Sequence, residues 1–180
     1  MKNFLTKLRV PVGWVYFILI GIVGNVKNIN YFIGGLILIF VGEFIRTLSS
    51  GVIKKNETIC SQGCYGIIRH PLYFGSCLIG LGFALLVNNP IVWIYLGVFF
   101  ILTYVAAIKS EEEYLLNKFG NAYIKYQKKV PCFFPLLNDI LGNYKHNFSF
   151  HQFKKNKEYK NWIIIVVVLS ILAFKIYLYR

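Results

Sequence analysis

The stretch RHPLYFGSCLIGLGFALLVNNPIVWIYLGVFFILTYVAAIKSEE, residues 69–112, decides the fold. Two apolar runs, 71–87 and 90–108, are split only by Asn88 and Asn89. Runs of this length with no internal charge are near the lower end of what spans a bilayer, where the backbone must satisfy its own polar groups as a helix. Asn-Asn-Pro is turn chemistry, so the pair reads as a tight antiparallel hairpin. The hairpin returns the chain to its starting level. Arg69 and His70 before the first helix therefore face Glu111 and Glu112 after the second, across one helix–helix groove.

Three more apolar runs, 10–26, 31–48 and 162–178, make five in all. Hydrophobic residues form 57% of the 180-residue chain, against roughly 45–50% in soluble proteins. The net charge is +13, but its distribution marks topology rather than nucleic-acid binding. With the N-terminus inside, 17 of the 20 basic residues fall on inner segments, leaving only Lys27, Lys175 and Arg180 outside. The first run has a basic start but no A-x-A-like cleavage site, and four further spans follow, so it reads as a retained helix. Cys60, Cys64, Cys77 and Cys132 lie in inner segments or within the membrane and read as free thiols. A metal site from Cys60, Cys64, His70 and Cys132 would need C-x3-C instead of the usual C-x2-C spacing, and no metal is expected.

The chain divides at 1–48, a first transmembrane hairpin turned at 27–30; 49–135, a core holding the third and fourth spans; 136–161, a basic linker; and 162–180, a C-terminal span. Ser76, Gly80 and Ala84 recur at four-residue spacing, a small-residue face along which another helix can approach. After the fourth span, Glu111, Tyr114, Leu115 and Lys118 continue at helical spacing to a Gly120 cap. A second amphipathic stretch follows, with Tyr123, Tyr126 and Val130 on one side, stopped by Pro131 and Pro135. From 136 to 160 the sequence is basic and aromatic without a period, suited to an anionic inner leaflet.

The chemistry concentrates around His70. A residue before proline is pushed towards extended backbone, and Pro71 is well placed to start a helix. The free N–H groups of that helix form a ready anion site, with Arg69 and His70 beside it. A carboxylate pair across the groove completes a cradle for the zwitterionic end of an amino acid. Tyr65 and Tyr73 offer ring faces to a flat base or a sulfonium. A purely structural alternative has the same residues pin the hairpin through an Arg69–glutamate pair.

These residues carry a family resemblance. Gly63, Tyr65, Arg69, His70, Pro71, Tyr73 and Gly75 form one block. Glu111, Glu112, Leu115, Phe119, Gly120, Tyr123, Tyr126, Val130, Pro131 and Pro135 form a second, and a looser match reaches back through Gly51, Arg46 and Gly42. Together, over roughly 35–135, they resemble the isoprenylcysteine carboxyl methyltransferase and phospholipid methyltransferase group. The resemblance implies an integral-membrane enzyme that binds S-adenosylmethionine at its cytoplasmic face. The implied cofactor contacts are Tyr65, Arg69, His70, Pro71, Leu72, Tyr73, Glu111 and Glu112, with 57–60 along the adenosine. One departure stands out. The prenylcysteine enzymes carry an Arg shortly before the paired Glu, and here that stretch reads Val105-Ala106-Ala107-Ile108-Lys109.

The expectation is an all-α integral membrane bundle of about five transmembrane helices, in the plasma (inner) membrane, with a cytoplasmic-face cofactor pocket. It transfers a methyl group from S-adenosylmethionine to a lipophilic acceptor: a phospholipid, an isoprenoid or an isoprenylcysteine-like carboxylate. The alternatives are an NADPH-dependent membrane reductase of the sterol-reductase kind and a non-catalytic scaffold or carrier. No nucleic-acid partner is expected, and neither the acceptor nor the oligomeric state follows from the sequence.

Overall fold

A computed structural model describes residues 4–26, 28–54, 57–135 and 148–178, with the side chains of the first helix described from Pro11 onward. Every regular element among them is helical. The helices are α1 (Phe4–Val23), α2 (Ile29–Val52), α3 (Cys64–Ile67), α4 (Pro71–Val87), α5 (Pro90–Phe99), α6 (Val105–Phe119), α7 (Asn121–Lys129), α8 (Phe150–Lys155) and α9 (Tyr159–Leu178). A π-helical turn, Phe100–Tyr104, joins α5 to α6 in one continuous 30-residue rod. Ile29–Val52, Pro90–Phe119 and Tyr159–Leu178 are each long and apolar enough to cross a membrane. Pro11–Val23 and Pro71–Val87 are shorter apolar helices, so all five apolar runs of the sequence fall on helices.

The punctuation follows the sequence. Asn88 takes a left-handed conformation, φ 44°, to close α4. Asn89 then caps α5 by accepting from the Ile91 N–H at 2.9 Å, and Pro90 begins it, where a missing N–H costs nothing. Asn28 caps α2 in the same way, through the Asn30 N–H at 2.8 Å. Gly120, φ 52°, ends α6 with its N–H on Leu116 O, and α7 turns away directly.

The tightest packing lies between α2 and α4. A Cβ placed on Gly42 would stand 2.6 Å from Gly75 O, and one on Gly35 2.6 Å from Gly82 O. The reciprocal positions, Gly75 and Gly82, are equally closed. The pairing 35 with 82 and 42 with 75 is an antiparallel register in which two backbones touch, the geometry that small residues permit inside membranes. The principal partner of α2 is therefore α4, while α1, only a short link away, packs on α5, the π turn, α6 and α9. The Ser76–Gly80–Ala84 face meets other elements: Gly80 faces Leu96 on α5 and its carbonyl accepts from Tyr16 on α1 at 2.7 Å.

The apolar core gathers Tyr16, Ile20, Phe83, Leu86, Val92, Ile165, Val168 and Leu172 from α1, α4, α5 and α9. At its far end Lys175 donates to Gly21 O and Ile22 O, at 3.1 and 2.9 Å. Those carbonyls close α1, where a cation is favourable. At the opposite end the close of α2 and the starts of α4 and α9 meet the middle of α6, and a cavity opens there.

Residues 136–147, the first half of the expected linker, lie outside the described residues. Its second half is structured: α8 packs against α2, and Glu158 is buried at the start of α9.

Candidate active site

The cavity measures about 540 Å³, within the range of small-molecule sites. Its more polar part is walled by Thr58, Ile59 and Cys60, by Tyr65 of α3, by Arg69, His70, Leu72 and Tyr73 at the head of α4, and by Glu111, Tyr114 and Leu115 of α6. Tyr123 and Tyr126 of α7 form its floor. The rest of the wall is largely apolar, with Trp14 and Phe17 of α1, Leu96 and Phe99 of α5, and Ile164 of α9. Arg46, Ser76, Glu158 and Asn161 lie along the same wall and form a polar band.

Local structure explains how these side chains reach the cavity. His70 has extended φ, −123°, and Pro71 follows at the first helical position, so the chain enters α4 abruptly with His70 beneath it. The Arg69 N–H donates to Pro131 O at 2.9 Å, which fastens this approach to the segment after α7. Tyr126 Oη donates to Tyr65 O at 2.7 Å, fastening α3 to α7. The π turn inserts an extra residue into the α5–α6 rod, a distortion frequent at functional sites. It brings Phe100 and Tyr104 to the cavity, where the Tyr104 ring meets Tyr73 edge-on at 5.4 Å.

The two adjacent glutamates separate in role. Glu112 Oε1 receives Arg69 Nη1 at 2.7 Å and lies 3.1 Å from His70 Nε2 and 3.6 Å from Cys132 Sγ. Glu111 lines the cavity, and among the described residues no hydrogen bond or ion pair engages its carboxylate. Of the residues singled out in the sequence, Tyr65, Arg69, His70, Leu72, Tyr73 and Glu111 line the cavity; Pro71 and Glu112 stand behind it. Of 57–60, Glu57 points away and pairs with Lys155 at 3.2 Å, whereas 58–60 reach the wall. Burial, and then the nearby Glu111 carboxylate, hold the Tyr65 phenol well above its ordinary pKa. Burial also raises the Cys60 and Cys64 thiols, so neither favours a thiolate beside the cavity.

His70, Glu112 and Cys132 bring ligand atoms within 4.8 Å of one another, a three-donor cluster. The Arg69 guanidinium already sits on the oxygen that the other two share, which neutralises the carboxylate a cation would need.

Glu158, Asn161, Tyr104 and Tyr114 are cavity residues that the sequence did not single out. Glu158 carried a usable signal, as an acid just before an apolar helix in an otherwise basic segment. The two tyrosines carried none.

An all-helical bundle with membrane-length apolar helices and a cavity that is polar on one side and apolar on the other defines the class. The phospholipid methyltransferase family profile matches residues 17–122, and the chain belongs to that family. It is 30% identical over 111 residues to the cobalt-zinc-cadmium resistance protein CzcN of Cupriavidus metallidurans, covering 62% of this chain and 51% of that protein. It is 28% identical over 159 residues to the protein-S-isoprenylcysteine O-methyltransferase B of Arabidopsis thaliana, covering 76% of this chain and 81% of that one. The protein-S-isoprenylcysteine O-methyltransferase of Homo sapiens is 29% identical over 133 residues, 64% of this chain and 45% of its own. The chain thus spans about half the length of the Cupriavidus and human relatives. No solved structure matches the chain significantly.

Proposed function

We propose that this protein is an integral-membrane methyltransferase that takes its methyl group from S-adenosylmethionine at the cytoplasmic face and delivers it to a lipophilic acceptor. The observation that carries the reading is Glu111, a carboxylate with no partner among the described residues, facing a chamber of suitable size beneath the N-terminus of α4. The chemistry of the donor set fits the cofactor. Glu111 meets an ammonium, and the first turn of α4 meets a carboxylate. At that turn Pro71 offers no N–H and Phe74 N–H is taken by His70 O, which leaves the amides between them. Tyr65, Tyr73 and Tyr104 supply ring faces for a base and a sulfonium. When bound, the cofactor supplies an already activated methyl group, so the protein needs chiefly to position and desolvate the reactants.

The acceptor enters from the lipid between α1 and α9. Their far ends are joined through Lys175 and through Leu172 against Gly24, while Trp14 and Ile164 nearer the inner face line the cavity. Five spans with the N-terminus in the cytoplasm of a plasma (inner) membrane agree with the basic-residue bias.

The test is calorimetric titration of the detergent-purified protein with S-adenosylhomocysteine and, in parallel, NADPH. Binding of the first alone supports the methyltransferase, and binding of NADPH alone supports the reductase alternative. Lipid mass spectrometry with and without the gene then seeks a species lighter by one methylene.

A further inference from the structure

The C-terminal unit, residues 148–178, lies beyond the segment that matches the family, yet it builds part of the cavity wall. The inner end of α2 holds it in register. The Ser149 N–H donates to Gly51 O at 2.9 Å, and Asn156 Nδ2 donates to Ser50 O at 2.7 Å and Ile53 O at 3.1 Å. Gln152 Nε2 donates to Ile53 O at 2.8 Å, and Trp162 Nε1 to Thr47 Oγ1 at 3.0 Å. Several of these bonds satisfy the last carbonyls of α2, which have no partner within their own helix. A simple membrane anchor requires none of them.

The residue so positioned is Glu158, 6% exposed and set into the polar band between the two parts of the cavity. Arg46 Nε and Nη2 each lie 2.7 Å from its Oε1. Arg46 Nη1 donates to Leu72 O at 3.1 Å and to Ser76 Oγ. All three guanidinium nitrogens are therefore engaged. Behind them Glu43, 1% exposed, sits 3.8 Å from Arg46 Nε and accepts from Asn161 Nδ2. The band sets two carboxyl groups beside one guanidinium, and only Glu158 bonds it directly. Among the described residues no hydrogen bond ends on Glu158 Oε2.

We infer that Glu158 selects the acceptor: it favours an uncharged or cationic head that donates a hydrogen bond, such as an amine, hydroxyl or thiol, and disfavours a carboxylate. An anionic head entering this band meets a guanidinium already paired with Glu158, in surroundings where water screens little. A donor head meets Oε2. The other cations of the cavity do not reverse this balance, because Arg69 is held by Glu112 and Lys54 is exposed towards the inner side. Lys109, next to the paired glutamates, is exposed and outside the cavity wall, so it does not supply an anion site there. The inference rests on the acceptor reading above.

The experiment uses the full chain in non-ionic detergent and three probes with one tail: dodecylamine, dodecanol and ionised dodecanoate. The amine and the alcohol are expected to bind at least about tenfold more tightly than dodecanoate, a difference of about 1.4 kcal/mol. Glu158→Gln, which frees Arg46 from its ion pair, is expected to shrink that gap to about threefold or less. Dodecanoate binding the wild type as tightly as the other two overturns the inference, as does an unchanged gap in the variant. If Glu158→Gln does not fold, the wild-type ranking decides alone. S-adenosylhomocysteine binding to the wild type is measured alongside. Its absence with the ranking intact removes the methyltransferase reading while leaving the preference of Glu158 in place.

Discussion

Arg69 Nη1 lies 2.7 Å from Oε1 of Glu112, and that contact ties the entry of α4 to the middle of α6. His70 approaches the same oxygen at 3.1 Å. The pair is the hinge pin of the groove rather than its ligand: it fixes the separation of the two helices and thereby leaves the neighbouring Glu111 facing the cavity.

Glu112→Gln is therefore expected to act on stability. Losing a charge-assisted bond to Arg69, together with the His70 contact, costs about 2 kcal/mol in partly buried surroundings. Thermal melting in detergent should fall by several degrees, while S-adenosylhomocysteine affinity of the folded fraction changes less than it does in the next variant. A wild-type melting temperature with lost affinity would instead place Glu112 on the cofactor.

Glu111→Gln is expected to do the reverse. No pairing in the described protein depends on this carboxylate, so the melting temperature should hold. Affinity for S-adenosylmethionine should fall by about 2–5 kcal/mol, the usual loss when one partner of a desolvated charge pair is removed. Calorimetry of the two variants side by side separates the roles of adjacent residues of the same type.

Much of this was legible in the sequence, for identifiable reasons. The five apolar runs, the Asn88-Asn89-Pro90 turn and the Gly120 cap are local chemistry, and local chemistry survives folding. The return of Glu111 and Glu112 to the level of His70 follows from a hairpin of two nearly equal runs. Which glutamate faces inward did not follow, because adjacent helical positions differ by about 100° and nothing in the sequence sets the rotation of α6. Nor did the pairing of α2 with α4, which depends on Gly35 meeting Gly82 and Gly42 meeting Gly75, 47 and 33 residues apart in the chain. Ser76, Gly80 and Ala84 gave a clearer spacing signal for close approach, but the glycines without Cβ atoms are the ones that let backbones touch. Glu158 stood out as an acid in a basic segment, but its partner Arg46 lies 112 residues away and could not be read from the sequence.

The glycine register gives its own test. Gly42→Ala would set a methyl group 2.6 Å from Gly75 O, where the obstacle is backbone and cannot turn aside. Separating the two helices is expected to cost about 1–3 kcal/mol, as overpacking usually does. Gly21 and Gly97 are helical glycines with nothing within 4 Å of an added Cβ, and alanine there should be neutral or stabilising by up to about 1 kcal/mol. Melting curves of the three variants check the contrast.

Topology can be read by single cysteines. Ile91 is exposed at the start of α5 and Ala122 is exposed on α7, and the proposed topology places the first outside and the second in the cytoplasm. An impermeant maleimide added to intact cells should label Ile91→Cys and leave Ala122→Cys unlabelled until the membrane is opened. The native cysteines should stay silent from outside. Labelling of Ala122→Cys in intact cells would overturn the orientation, and with it a cytoplasmic cofactor chamber.

The last prediction concerns Tyr73 and its neighbour Phe74, which α4 turns to different surroundings. Tyr73 lines the cavity, its ring 5.7 Å from His70 and edge-on to Tyr104 at 5.4 Å. Phe74 packs edge-on against Phe133 at 5.5 Å, in the segment whose Pro131 carbonyl holds Arg69. Tyr73→Leu should weaken S-adenosylhomocysteine binding by about 1–2 kcal/mol, through the lost ring face and the loosened Tyr104. Tyr73→Phe keeps the ring and should cost less, unless the hydroxyl is what binds. Phe74→Leu loses one aromatic pair and should lower stability by about 0.5–1.5 kcal/mol, with affinity retained by the folded protein. The two leucine variants thus exchange effects: one alters the titration and the other the melt. If Tyr73→Leu lowers only the melting temperature, Tyr73 serves packing alone, and the aromatic wall of the chamber is not a cofactor surface.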